Sequence, residues 1–390
     1  MSGVGMKSSW RQLISISAVG LSLLAAACAS PGPGARPPVG GPIGSLPPET
    51  QPGGPDQRPV LRPDIFPPAP PPPAGTLALT QLPGWDQEDH LGAFNAYVET
   101  CARHRDAAAA QVCSRARWLT SNHVVSSAQA RTFLEASFVA VEAHRPDGQP
   151  GMLTAYFAPI YSARWAPDAD YDAPVLSRPA NLAQVGTRAQ IDAGSAQSQV
   201  LAWMKAEDLF FLQIQGSGTL VMPDGSRIRA AYAADNGKPF VGIARPMAAQ
   251  GLLPQNGTSG DAIRRWLSDH RGPRAREVMA LNPRYIFFTT TADDGREAVG
   301  AASVPLPARR SIAIDPSHWT YGEAVWIEAD AGNLMGARAS YRGLVMALDT
   351  GSAIRGPVRA DLYMGRGDAA GDEAGTVRHP LRMWRLIPRG

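Results

Sequence analysis

The run Leu344-Val345-Met346-Ala347-Leu348 is uninterruptedly apolar and ends in one carboxylate, Asp349. A strand of that composition is buried. An acid at its end is held at the border of a low-dielectric interior, which favours the protonated form and raises the pKa. Such an acid can protonate a leaving oxygen near neutral pH. The competing reading is that Asp349 only starts the turn Asp349-Thr350-Gly351, a common place for aspartate. Asp361, in Ala360-Asp361-Leu362-Tyr363, and Asp315, at the close of Ile312-Ala313-Ile314, stand in comparable settings. Three aspartates at or within strands of one C-terminal barrel could share a cleft.

Other chemistries leave no trace. There is no Gly-x-Ser-x-Gly elbow, Walker loop, His-Glu-x-x-His or dinucleotide fingerprint. The seven histidines are scattered and no Cys/His group has zinc-ligand spacing, so neither metal nor cofactor is expected. Gln215-Gly216-Ser217-Gly218 lacks the second elbow glycine and reads as a β-turn or bulge between two strands, where a sugar could approach the backbone closely. Tyr156, Phe157, Tyr161, Trp165, Trp319, Tyr321 and Trp326 could stack on sugar rings, but β-rich proteins use most such residues as core.

The elements that would position these groups are mainly short strands. Gly151 to Tyr161, Leu209 to Gln215, Tyr285 to Thr290, Ser311 to Asp315, Ala324 to Glu328 and Leu344 to Asp349 read as strand-like runs. Two helices precede them: Gln87 to His104 carries Leu91, Phe94, Tyr97 and Val98 at helical spacing, and Ser127 to His144 carries Phe133, Leu134, Phe138 and Val141. Short helices are expected at Arg264 to His270 and Arg274 to Leu281. The class is β-rich α+β, containing a barrel.

The 390 residues are 44% apolar, enough for one large or two medium domains. A formal charge of +3 without a basic block argues against nucleic acid as a partner. Lys7 and Arg11, then the apolar stretch Leu13 to Ala27 and Cys28, read as an export signal too short to be a permanent span. A cysteine after small residues resembles a lipoprotein site, so Cys28 is the lipidation candidate, with plain signal cleavage as the alternative. Pro31 to Ala74 is dominated by Pro and Gly and reads as an extended tether. Outside the cytoplasm, Cys101 and Cys113 are a natural disulfide pair. On one continuous helix they would lie roughly 18 Å apart, so a bridge requires the helix to break near Ala107 to Gln111.

Several segments together carry a resemblance. ALDTGSAIRG at Ala347 to Gly356, DLYMGRGDAAGDEAG at Asp361 to Gly375, and the ending MWRLIP form the strongest block. FLQIQGSG at Phe211 to Gly218, DNGKPF at Asp235 to Phe240, GAASVPL at Gly300 to Leu306 and LTAYFAP at Leu153 to Pro159 continue it upstream. From about Asp86 to the C-terminus the chain resembles the membrane-bound lytic murein transglycosylase A family. The resemblance implies a double-psi β-barrel domain, residues 77–162 plus 285–390, with a second β domain, 163–284, inserted in it. Residues 1–28 would be the signal and 29–76 the tether.

It also implies cleavage of the β-1,4 bond between N-acetylmuramic acid and N-acetylglucosamine without water, leaving a 1,6-anhydro ring. Asp349 matches the catalytic position; Asp361 and Asp315 would support it, and Tyr156, Gln215, Gly216 and Ser217 would line the glycan groove. Peptidoglycan is the implied partner of a monomer either anchored through lipid on the periplasmic face of the outer membrane or free in the periplasm. The chain departs from the family's pattern at Ala155, Phe157 and Ala158 in LTAYFAP and at Lys238 in DNGKPF, where loss of hydrogen-bonding groups in the groove is expected to alter substrate preference or lower activity. A noncatalytic glycan-binding protein and a hydrolase pairing Asp349 with Asp361 are the alternatives.

Overall fold

The computed structural model describes residues 58–61, 66, 69–254 and 259–389. The signal segment with Cys28 and the first part of the Pro/Gly-rich stretch lie outside the described residues. After a short strand β1 (Leu77–Ala78) come helices α1 (His90–Thr100), α2 (Ala107–Asn122) and α3 (Ser127–Ser137). Each starts at a side chain that accepts an otherwise orphaned backbone N–H: Asp89 from Gly92, Asp106 from Ala109 and Ser126 from Gln129. Between α1 and α2 the chain tightens into a 3-10 turn at Cys101–Arg103 before Asp106 caps the next helix. That break brings the Cα atoms of Cys101 and Cys113 to 5.6 Å in a disulfide. It falls just upstream of the expected 107–111, because Asp106 is the residue able to cap.

Strands β2 (Phe138–Ala143) and β3 (Gly151–Ala158) follow. The helix expected over Ser127 to His144 therefore stops at Ser137. Phe138-Val139-Ala140-Val141 satisfies strand spacing as well as helical spacing, and its backbone pairs with the last strand of the chain.

The next elements form a second unit: β4 (Ile160–Ser162), β5 (Ala173–Leu176), α4 (Arg188–Asp192), β6 (Val200–Met204), α5 (Ala206–Gln215), β7 (Ser217–Val221), β8 (Arg227–Asp235), α6 (Ala244–Ala249), α7 (Gly260–Asp269), α8 (Pro273–Met279) and β9 (Ile286–Ala292). Its main sheet has the order β4-β7-β8-β9, with β5 and β6 as a separate pair. It has its own core, including Phe210, Phe211, Met247, Leu267 and Phe288. The boundaries expected for the insertion, 163 and 284, leave β4 and β9 outside, yet both are hydrogen-bonded members of this sheet. The run Leu209 to Gln215 is helix, not strand. Leu209 to Gln213 are all buried, and an apolar run hidden on every side carries no period that separates helix from strand. Gly216 at φ +85° ends that helix, so Gln215-Gly216-Ser217-Gly218 is a helix C-cap running into β7 rather than a turn between strands.

The chain then returns as β10 (Ser311–Ala313), β11 (Ala324–Asp330), β12 (Ser340–Asp349), β13 (Arg359–Arg366), α9 (Asp368–Ala374) and β14 (Arg378–Pro388). The large sheet has the order β1-β2-β14-β11-β12-β10-β13-β3, and β3 pairs back to β14, so six strands form a closed ring. Two of its pairings are parallel, β10 with β12 and β13 with β3. Alternate residues fill the inside, among them Ile312, Val325, Ile327, Val345, Ala347 and Leu362, with α9 contributing Ala370 and Ala374. The intervening residues Trp326, Leu344, Met346, Leu348 and Trp384 pack outward beneath α1–α3. β12 is thus covered on both faces, which explains its unbroken apolar run.

The Pro-rich stretch is not free up to Ala74. Leu61 is buried, Phe66 packs edge-on to Phe133 at 5.6 Å, and Val124 N–H donates to the Pro59 carbonyl at 3.0 Å. Gln129 Nε2 donates to Leu61 O at 2.7 Å, and Arg389 Nη1 to Pro70 O at 2.8 Å. Two large apolar side chains in a proline background suffice to dock the segment on α2 and α3. Leu61→Ala is expected to lower the unfolding free energy by about 2 kcal/mol, the lower end for a buried leucine, measured by urea denaturation. An unchanged midpoint would mean that the strap contributes nothing.

Candidate active site at the end of strand β12

Asp349 is the last residue of β12. Beside it Ile312 faces Ala347 but Ala313 faces Asp349, so β12 carries one extra residue, a bulge that re-aims the strand end. Ala313 also faces Asp361 of β13, placing Asp349 and Asp361 on opposite sides of β10. Two strand spacings separate their backbones by about 10 Å. Next to β13 runs β3, with Thr154 opposite Asp361 and Tyr156 opposite Tyr363.

The Asp349 carboxyl is half-buried and accepts three hydrogen bonds from the protein. Tyr156 Oη donates to Oδ2 at 2.6 Å; Ala301 N–H and Thr350 N–H donate to Oδ1 at 3.0 and 2.9 Å. Burial pushes its pKa above the usual carboxylate value, opposed by the Tyr156 hydroxyl and the two backbone donors. Tyr156 is itself pushed well above the ordinary tyrosine value, by burial first and then by the Asp349 charge, so it remains a neutral donor. Its ring packs on Tyr363 at 5.2 Å, and Tyr363 Oη donates to Glu297 Oε2 at 2.7 Å. Tyr321, raised by burial and by the Asp349 charge, borders the carboxyl from the segment before β11.

Asp361 and Asp315 do different work. Asp361 accepts from the Thr154 hydroxyl, which in turn accepts from Arg359 Nη2 at 2.8 Å. Burial raises its pKa against the pull of Arg359. Asp315 binds loops: Oδ1 accepts from Ser317 N–H and Oγ at 3.0 and 2.8 Å, and Oδ2 from Gly356 N–H at 2.7 Å. Burial works to raise its pKa, but the Gly356 and Ser317 donors with Arg355 hold it below the usual value. Asp315 therefore stays ionised and pins the loop that follows β12.

Gln215, Gly216 and Ser217 come from the inserted unit. Gln215 Oε1 accepts from Phe157 N–H at 3.2 Å, one residue beyond Tyr156, and Thr219 N–H donates to Pro159 O at 2.8 Å. A Cβ at Gly218 would lie 2.8 Å from the Pro159 carbonyl, so only glycine permits this approach. Ser217 opens β7 opposite Ala231. The motif departures fall elsewhere than expected: Ala155 and Phe157 belong to the core inside the ring, and Ala158 to the core under the helices. Lys238 helps line an open cavity of about 510 Å³ in the inserted unit, with Arg178, Tyr232 and Asp235.

Sequence reasoning missed four contributors. Arg366 donates to Thr219 Oγ1 at 2.7 Å and pairs with Asp293, clamping β13 to the inserted unit. Tyr363 and Glu297 support Tyr156, and Ala301 supplies a backbone N–H. The alternation Asp361-Leu362-Tyr363 pointed to Tyr363, but a backbone donor leaves no side-chain signal. Among the described residues no group of His, Cys, Asp and Glu is placed to hold a metal ion. Among them, too, no helix is long and apolar enough to cross a membrane.

The carboxyl environment has a measurable consequence. Its raised pKa means that the unfolded chain ionises at this position while the fold still holds the proton, so stability is lost as pH rises from the unfolded value through the folded one. Asp349→Asn, which can keep Oδ1 as acceptor and offer Nδ2 to Tyr156, is expected to melt above the wild type at pH 7. The gap should close as pH falls toward about 4, near the ordinary aspartate value. Equal melting at pH 7 would contradict the raised pKa.

A family model described as the MltA-specific insert domain matches residues 152–289, and a 3D domain model matches residues 310–387. Membrane-bound lytic murein transglycosylase A of Vibrio cholerae is 32% identical over 273 residues, 67% of this chain and 73% of that protein. The crystal structure of the membrane-bound lytic murein transglycosylase from Agrobacterium tumefaciens superposes with a TM-score of 0.68 at 31% identity, covering 80% of this chain and 97% of that one. The structure of E. coli MltA with bound chitohexaose gives a TM-score of 0.63 at 26% identity over 78% of this chain and 91% of that one. With sequence identity, insert, C-terminal domain and ring all in agreement, the chain belongs to the membrane-bound lytic murein transglycosylase A family.

Proposed function

We propose that this protein is a peptidoglycan lytic transglycosylase of the cell envelope in which Asp349 is the only acid/base. The observation that carries this reading is the setting of the Asp349 carboxyl: burial favours its proton while three donors await its charge. In the first step the Asp349 proton passes to the glycosidic oxygen, the bond from that oxygen to C1 of N-acetylmuramic acid breaks, and N-acetylglucosamine leaves with a free 4-hydroxyl. The Asp349 carboxylate then takes the proton from the 6-hydroxyl of the same muramic residue as its oxygen closes on C1. The acid is restored, and no water is consumed. Tyr156 Oη and the N–H groups of Ala301 and Thr350 stabilise the carboxylate that exists only between these steps, which is where preorganised donors are effective. The internal hydroxyl attacks at a high effective concentration, so no second carboxylate is required to activate water.

Asp361 supports from two strands away, its carboxyl engaged by Thr154. The glycan runs in the cleft between ring and insert, past Tyr156, Gln215, Gly216 and Ser217. Binding of a β-1,4 sugar chain by the E. coli relative supports this substrate class. The closed six-stranded ring with two parallel pairings is consistent with a double-psi barrel made of residues 77–159 and 293–389, interrupted by an insert of 160–292. Cys28 is the proposed lipid attachment site, holding a monomer at the outer membrane.

Purified peptidoglycan incubated with the protein lacking residues 1–30 should release muropeptides with 1,6-anhydro ends, detected by mass spectrometry. Asp349→Asn should release none while still sedimenting with the polymer. Products that carry oxygen from labelled water would replace this reading with hydrolysis. Binding without cleavage by the wild type would leave a wall-binding protein.

A further inference from the structure

The Asp349 site is held from outside by a segment that none of the proposed chemistry uses. The Ala301 donor belongs to a loop that lies against the end of β12: Ala302 N–H donates to Leu348 O at 2.9 Å, and a Cβ on Gly300 would stand 2.7 Å from that same carbonyl. The loop turns at Ser303, whose φ of +60° is left-handed, a conformation that a serine keeps only when its surroundings enforce it. One such enforcement is visible. Arg103 Nη2 donates to the Ser303 carbonyl at 2.9 Å across 200 residues of sequence.

Arg103 lies within the loop closed by the Cys101–Cys113 disulfide, at the break between α1 and α2. The neighbouring backbone, at Arg103 and His104, rests on Gly322, where an added Cβ would come within 2.3 Å of His104 N. Gly322 directly follows Tyr321, and its N–H donates to Ala347 O at 2.8 Å, two residues before Asp349. A single disulfide-closed strap therefore touches both segments that flank the carboxyl, the 298–306 loop on one side and the 319–323 turn on the other.

We propose that this strap is a positioning device for the reaction: Arg103, fixed by the Cys101–Cys113 disulfide, holds the Ser303 turn so that the Ala301 N–H stays aimed at Asp349. The inference rests on the assignment of Asp349 as acid/base. The groups facing Asp349 are Tyr156 on β3, Asp361 on β13 and Tyr321 before β11, with the Ala301 and Thr350 amides. Of these, Ala301 is held through Arg103. Losing its hydrogen bond disfavours the charged carboxylate, which raises the Asp349 pKa and weakens stabilisation of the intermediate state.

Arg103 is exposed, so Arg103→Ala is expected to fold normally. Its maximal rate of anhydro-end release should fall about five-fold, the scale of one hydrogen bond. The alkaline limb of its pH profile should move upward, because the acid keeps its proton to higher pH. Arg103→Lys, which retains a donor, should recover most of the rate. The Cys101→Ala/Cys113→Ala variant should shift the limb in the same direction. Hydrogen exchange of the 299–304 amides should quicken in Arg103→Ala. Wild-type rate and profile in Arg103→Ala, a rate loss without movement of the limb, or unchanged exchange in that loop would each overturn the proposal. Turnover by Asp349→Asn would instead remove the acid assignment, and the exchange experiment would still decide whether Arg103 holds the loop.

Discussion

The structure depends on the double burial of β12. A ten-residue strand whose alternate residues enter two separate cores has no solvent face, and the chain must cover both sides of it. The ring covers one side and α1–α3 the other. A buried ion pair fixes the second covering: Arg310 Nη2 lies 2.8 Å from Glu88 Oε1, and Glu88 Oε2 accepts the Leu344 N–H at 2.7 Å. Arg310 Nη1 also donates to Leu344 O at 3.0 Å, so both polar groups of this β12 residue are satisfied by side chains from other segments. Such a pair is costly to break from one side, since the partner left behind would be a buried unpaired charge. It locks the helical layer onto β12 five residues before Asp349, and the acid inherits that rigidity.

Two opposing influences then converge on one carboxyl. Burial favours the neutral acid, and three hydrogen-bond donors favour the carboxylate. With the donors alone, the group would be ionised and unable to give a proton; with burial alone, the ion would form at prohibitive cost. Their combination suits the acid-then-base role proposed for Asp349. Asp361, buried beside Arg359 and held by Thr154, is fixed in the wall of the ring, where it senses the Asp349 charge without a hydrogen bond to it. Arg366, meanwhile, joins that wall to the insert by donating to Thr219 and pairing with Asp293 directly after β9.

How far this was legible in the sequence follows from the physics of each segment. Asp349 stood out because double burial writes itself as an unbroken apolar run ending in an acid. The same property concealed α5: Leu209 to Gln213 are buried all round, and a run without a polar face reads as strand as readily as helix. Phe138 and Val141 fit two periods at once, and only pairing with β14, more than two hundred residues later, decides between them. Proline content suggested a tether, yet Leu61 and Phe66 dock it, because composition averages over the few side chains that bury surface. A barrel was expected, but the order and closure of its strands, like the Ala301 donor, left no side-chain signal, because both are backbone contacts between distant segments. The resemblance named both Tyr156 and Asp349, and the geometry adds the hydrogen bond that joins them.

The altered LTAYFAP motif is best understood through strand alternation. Successive side chains of β3 point to opposite faces, so Tyr156 is directed toward Asp349 while Ala155 and Phe157 point into the ring. Phe157 lies over α9 with no room to spare, since a Cβ on Gly371 would sit 2.8 Å from its ring. A tyrosine at 157 would carry a hydroxyl into this apolar interior and would need a partner there. Phenylalanine removes that need, and Gly371 admits the ring. The departures at Ala155 and Phe157 are therefore adjustments of packing inside the ring, and Ala158 belongs to the core under the helices, while the motif position whose hydroxyl reaches Asp349 remains tyrosine.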